Sequence, residues 1–114
     1  MTDVRAQRCA ELADPVTALM GAALACQARS PQAFSDVIEQ AQAVRAIAER
    51  GSAGVDDETY VSWAAGAPDV LTAMIEAAQR SDPKAVWAAF AHPEAGLHRV
   101  AAACAGLPRW AAPA

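Results

Sequence analysis

Alanine fills 32 of the 114 positions in this chain, and no other feature narrows its fold as much. Alanine is the best helix former, and the β-branched and aromatic residues that favour strands are sparse and never alternate for long, so an all-α chain is expected. The other helix formers fall at a period near 3.6. Hydrophobic residues make up 54% of the chain and charged ones 19%, which excludes a disordered charged tail and leaves enough apolar surface for one compact core. Residues 1–107 are expected to form a single helical domain, with 108–114 as a C-terminal tail.

The apolar positions divide that domain into four segments. Leu12, Ala13, Val16, Leu19, Met20, Ala23 and Leu24 repeat at helical spacing and predict a first helix over residues 3–28. Ser30-Pro31 then reads as an N-cap followed by proline at the first helical position, ahead of the stripe Phe34, Val37, Ile38, Ala41, Val44 and Ile47. Gly51 follows as a helix stop, and the polar stretch 51–57 is a linker. Asp56 or Asp57 caps a third helix with Tyr60, Trp63, Ala64, Val70, Leu71, Met74, Ile75 and Ala78 on its stripe. Asp82-Pro83 opens the fourth, which carries Val86, Ala89, Phe90, Leu97, Val100, Ala101 and Cys104. The match between Arg29-Ser30-Pro31 and Arg80-Ser81-Asp82-Pro83 reads as a common way to start a helix.

Pro15, Pro68 and Pro93 fall inside these segments, where proline removes one backbone bond and costs about 3 kcal/mol. The apolar stripe keeps its phase across each of them. Bent long helices are therefore expected over six or seven short ones, and the fold expected is a compact antiparallel four-helix bundle with proline-kinked helices.

Motifs that would name a reaction are missing: there is no glycine-rich phosphate loop, no Cys-x-x-Cys and no nucleophile signature. Net charge is −4, and its nine basic residues are scattered, which argues against nucleic acid as a partner. Charged or polar side chains interrupt every apolar run before it reaches the ~20 residues of a membrane span, and the N-terminus lacks the apolar segment of a secretory signal. Three cysteines, Cys9, Cys26 and Cys104, are an odd number at no metal-ligand spacing, which points to reduced thiols and a cytoplasmic protein.

Only His92 and His98 are histidines, and Glu94 lies four residues before His98, which puts both on one face of a continuous fourth helix. Such a pair is most simply a solvated ion pair, because a zinc site needs three or four ligands. No metal site is expected. Trp63 and Phe90 belong to stripes, whereas Trp87 lies between stripe positions and Trp110 lies beyond Pro108, so these two tryptophans are the expected interface anchors.

The end of the chain, Asp82-Pro-Lys-Ala-Val-Trp-Ala-Ala-Phe90 and then Val100-Ala-Ala-Ala-Cys104-Ala-Gly-Leu-Pro108-Arg-Trp110, resembles the last helix of the cytochrome c-prime family. Those four-helix bundles attach haem through a terminal Cys-x-x-Cys-His, and Cys104 stands at the first cysteine. Leu107 and Pro108 stand where the second cysteine and the histidine belong. The resemblance supports the fold and implies, at most, non-covalent haem between His98 and either Met20 or Met74. Function divides accordingly. The leading expectation is a non-catalytic helical module that self-associates or docks a protein partner; the alternative is a binder of a small hydrophobic ligand or haem, using His98, Glu94, Met20 and Met74. An enzyme built on Glu94, His98 and Arg99 ranks last.

Overall fold

The helix starts follow from their caps. Asp3 accepts from the Ala6 N–H at 3.0 Å and opens α1 (Val4–Ala25), Asp57 accepts from Tyr60 at 2.9 Å and opens α3 (Glu58–Gln79), and Asp82 accepts from Ala85 at 3.1 Å and opens α4 (Pro83–Phe90). Ser30 precedes α2 (Pro31–Glu49), but its hydroxyl makes no capping bond; proline at the first turn sets that start instead. A 3-10 turn at Cys26–Ala28 extends α1, and a second at Leu97–Arg99 leads into the short α5 (Val100–Ala103). The computed structural model describes residues 3–107 and 109–110; Pro108 and residues 111–114, part of the expected tail, lie outside them.

The chain is all-helical and compact, with no strand among the described residues, and its radius of gyration of 13.7 Å is close to the ~13 Å of a compact domain this size. Among the described residues there are five α-helices, where four were expected. Pro15 and Pro68 are carried inside continuous helices, as the unbroken stripes required. Pro93 is not: α4 stops at Phe90, and a turn at 91–96 separates it from α5.

α2 packs against both α1 and α3, α4 against both α3 and α1, and α5 against α3. Their shared core is led by Leu12, Leu19, Val37, Val44, Tyr60, Trp63, Leu71, Met74, Val86 and Val100, all essentially without solvent exposure. The two matching segments seen in the sequence also match in shape. Arg29 and Ser81 both take a left-handed backbone, φ 58° and 54°, just before a helix-opening proline. Such a conformation in a residue other than glycine is uncommon.

One expectation about α1 fails. Met20 and Leu24, assigned to its buried stripe, are 46% and 54% exposed. In addition, α1 with its 3-10 extension, Val4–Ala28, is long and apolar enough by composition to cross a membrane, although Leu12, Leu19, Ala23 and Cys26 face the protein core. The cysteine expectation fails as well. Cys9 on α1 and Cys104 after α5 form a disulfide with a Cα–Cα distance of 5.7 Å, and only Cys26 is a free thiol.

That bond belongs to a seam joining the two ends of the chain. The Arg5 guanidinium donates to the Ala103 and Ala105 carbonyls, each at 2.9 Å, so it caps the last turn of α5, and it lies 3.7 Å from the Asp57 carboxylate that caps α3. Beyond α5, Trp110 donates its indole N–H to the Cys9 carbonyl at 2.8 Å, and Arg109 pairs with Asp14.

Thiol titration of the unfolded, unreduced protein should find one reactive thiol, rising to three after reduction. Cys104→Ser should lower unfolding stability by about 2–5 kcal/mol, because the bond closes a loop spanning most of the chain. Leu71→Ala should cost about 2–5 kcal/mol and Val37→Ala somewhat less, measured by denaturant unfolding, since both side chains are fully buried.

Candidate functional site

Glu94 and His98 do not share a helix face. Proline at position 93 cannot donate a helical bond, and the His92 side chain closes the turn in its place, its Nδ1 accepting from the Glu94 N–H at 3.3 Å and the Ala95 N–H at 3.2 Å. With Nδ1 an acceptor, the proton of the neutral ring sits on Nε2. The turn is completed by the Gly96 N–H donating to the His92 carbonyl at 3.0 Å. A Cβ at position 96 would fall 2.4 Å from the Phe90 carbonyl oxygen, so glycine is required there for space and not for its φ. Gly66 on α3 receives the turn in the same way, since a Cβ there would lie 2.9 Å from that of Ala95.

The turn creates a polar groove along α3. Glu58, Thr59, Ser62 and Trp63 on one side face Glu94 and Arg99 on the other around a cleft of about 290 Å³. Next to it, Ser62, Gly66, Asp69, His92 and Glu94 line a hollow of about 430 Å³. Glu94 and Arg99 thus come together as the enzyme expectation supposed, but His98 does not join them. It is exposed, with Nδ1 3.3 Å from the Phe90 carbonyl oxygen.

The groove's own histidine is held as a turn acceptor, so its Nδ1 is not free to take a proton from Thr59 or Ser62. Among the described residues no three His, Cys, Asp or Glu side chains are grouped to hold a metal ion. Cys26 is no nucleophile either, because burial, followed by the nearby Asp36 carboxylate, pushes its thiol pKa up. The proposed haem ligands are scattered too. Met74 is fully buried in the core while Met20 is exposed on α1, and Cys104, which stands at the first cysteine of the resembled haem motif, is bonded to Cys9.

Of the two tryptophans, Trp110 is held against α1 by its bond to Cys9. Trp87 stacks on Phe90, ring centroids 5.1 Å apart, and is 39% exposed. It borders an apolar notch of about 280 Å³ with Leu24 and Gln27, and Met20 is one helical turn away from Leu24. Sequence reasoning picked out Trp87 but took Met20 and Leu24 for core. The break in the fourth helix did have a signal, His92-Pro93-Glu94-Ala95-Gly96, a turn sequence inside a supposed helix. Against this geometry, no family model, no curated protein and no solved structure matches the chain.

Gly96→Ala should destabilise the fold by about 1–3 kcal/mol, because the added methyl meets backbone atoms that cannot rotate away. Amide resonances of the residues lining the groove should shift in the same variant, and an unchanged melting temperature with unchanged spectra would refute the close approach.

Proposed function

We propose that this protein is a non-catalytic helical module that docks a protein partner through the face formed by Met20, Leu24 and Trp87. One observation carries the reading. From Pro15 to Ala28 the chain has no charged residue, yet Thr17, Ala18, Met20, Gly21, Leu24, Ala25, Gln27 and Ala28 all face solvent. An uncharged helix face carrying Met20 and Leu24, the two most exposed large apolar side chains among the described residues, with a partly exposed tryptophan beside it, has the composition of an interface centre.

The neighbour relations of the helices favour an antiparallel four-helix arrangement of α1 to α4 with α5 added beside α3, which leaves this face on the outside. Shape argues for a protein and against the alternative of a small hydrophobic ligand or haem. The notch beside Trp87 is open and lined only by Leu24, Gln27 and Trp87, where a small-molecule site encloses most of its ligand's surface, and it suits a single inserted side chain. The disulfide supports an oxidising compartment over the cytoplasm expected from the cysteine count.

The test is photo-crosslinking from the face itself. With Trp87 replaced by a benzophenone amino acid, irradiation in the cells that make the protein should give a covalent adduct to a protein chain, identified by mass spectrometry. The same probe at Glu39, exposed on α2, should give none. No protein adduct at position 87, or equal adducts at both positions, would remove the basis for the reading.

A further inference from the structure

We infer that the occupant of this face is a second copy of the chain, in a two-fold dimer whose α1 helices cross antiparallel at Gly21. The inference rests on the docking reading above and adds the partner and its geometry. Thr17, Gly21, Leu24 and Ala28 are exposed at spacings of four, three and four residues, the repeat that lies along one seam when two helices pack side by side.

Gly21 has no explanation within its own chain. It sits inside a helix, where glycine is less stable than alanine by about 0.5–1 kcal/mol, and a Cβ built on it would meet nothing within 4 Å. A second helix crossing at that point supplies the reason, since a missing side chain lets two axes approach to about 8 Å.

Charge selects the partner and the direction. The uncharged face is bounded by Asp14 at one end and Arg29 at the other, both exposed. At 1.5 Å per α-helical residue and about 2 Å per 3-10 residue, Asp14 stands about 11 Å and Arg29 about 14 Å from a crossing point beside Gly21, a difference that long side chains span. An antiparallel pair therefore brings Asp14 of each copy to Arg29 of the other, twice by symmetry, whereas a parallel pair would set like charges together. Arg109 occupies only Oδ1 of Asp14, whose side chain is 83% exposed, so the second oxygen is free to accept from the second copy. A lipid surface fits less well, because interfacial helices carry a polar face rich in Lys and Arg, and the exposed charges on α1 include Glu11 and Asp14.

Sedimentation of the full disulfide-bonded chain over a micromolar range should show a concentration-dependent dimer. Gly21→Leu separates this idea from general stickiness. It adds helix propensity and apolar surface in open space, so it should raise the melting temperature measured under monomeric conditions while weakening dimerisation roughly tenfold or more. Asp14→Lys and Arg29→Asp should each weaken the dimer, and the double exchange should restore it.

A chain that stays monomeric at hundreds of micromolar, or a dimer indifferent to Gly21→Leu, would overturn the proposal. So would a charge exchange that fails to restore pairing. If the Trp87 adduct forms with a different protein while the chain sediments as a monomer, self-pairing is wrong and the docking reading stands. If binding is to anionic vesicles and no protein adduct forms, both fail.

Discussion

The five-residue turn from His92 to Gly96 sets the path of everything after α4. A proline at position 93 cannot join a helical ladder, the imidazole of His92 takes the two backbone donors that the break sets free, and Gly96 lets the chain fold back onto the Phe90 carbonyl. The chain then packs across α3, where Gly66 makes room for Ala95. Beyond the turn and α5, Cys104 lies within a disulfide's reach of Cys9.

Three different kinds of interaction then hold the two ends of the chain together. The covalent bond limits how far the unfolded chain can open, the Arg5 guanidinium supplies donors to carbonyls that a four-residue helix leaves unpaired, and Trp110 packs beside the core while donating to the Cys9 carbonyl. Arg5 also stands close to the carboxylate that caps α3, so one side chain links the beginning of the chain, the start of its central helix and its end. These contacts are stronger together than surface ion pairs alone, which contribute little when exposed. The Arg109–Asp14 pair is of that weaker kind.

The molecule has two distinct surface features. The turn lines a polar groove with Glu94 and Arg99, while Met20 and Leu24 of α1 are exposed beside Trp87 of α4. In the groove, the imidazole of His92 is bonded to backbone. The apolar face has no charge over about half of a long helix, and its central glycine has space above it. These are the features on which the proposed docking rests.

Local chemistry was legible in the residues themselves. Alanine content and apolar spacing determined the helical class, Asp57 and Asp82 marked helix starts within a residue, and unbroken stripes carried α1 and α3 through Pro15 and Pro68. Each of these depends on neighbours within one or two turns, which a linear pattern records. What the tertiary structure decided depends on neighbours far apart in the chain. An odd cysteine count hid a pair 95 residues apart, the period that placed Met20 and Leu24 on a buried stripe could not say that no other helix covers them, and the spacing of Glu94 and His98 had meaning only on a helix that Pro93 and Gly96 break. Periodicity tells which side of a helix is apolar, but whether that side is covered depends on where the other helices run, and only the tertiary packing determines that.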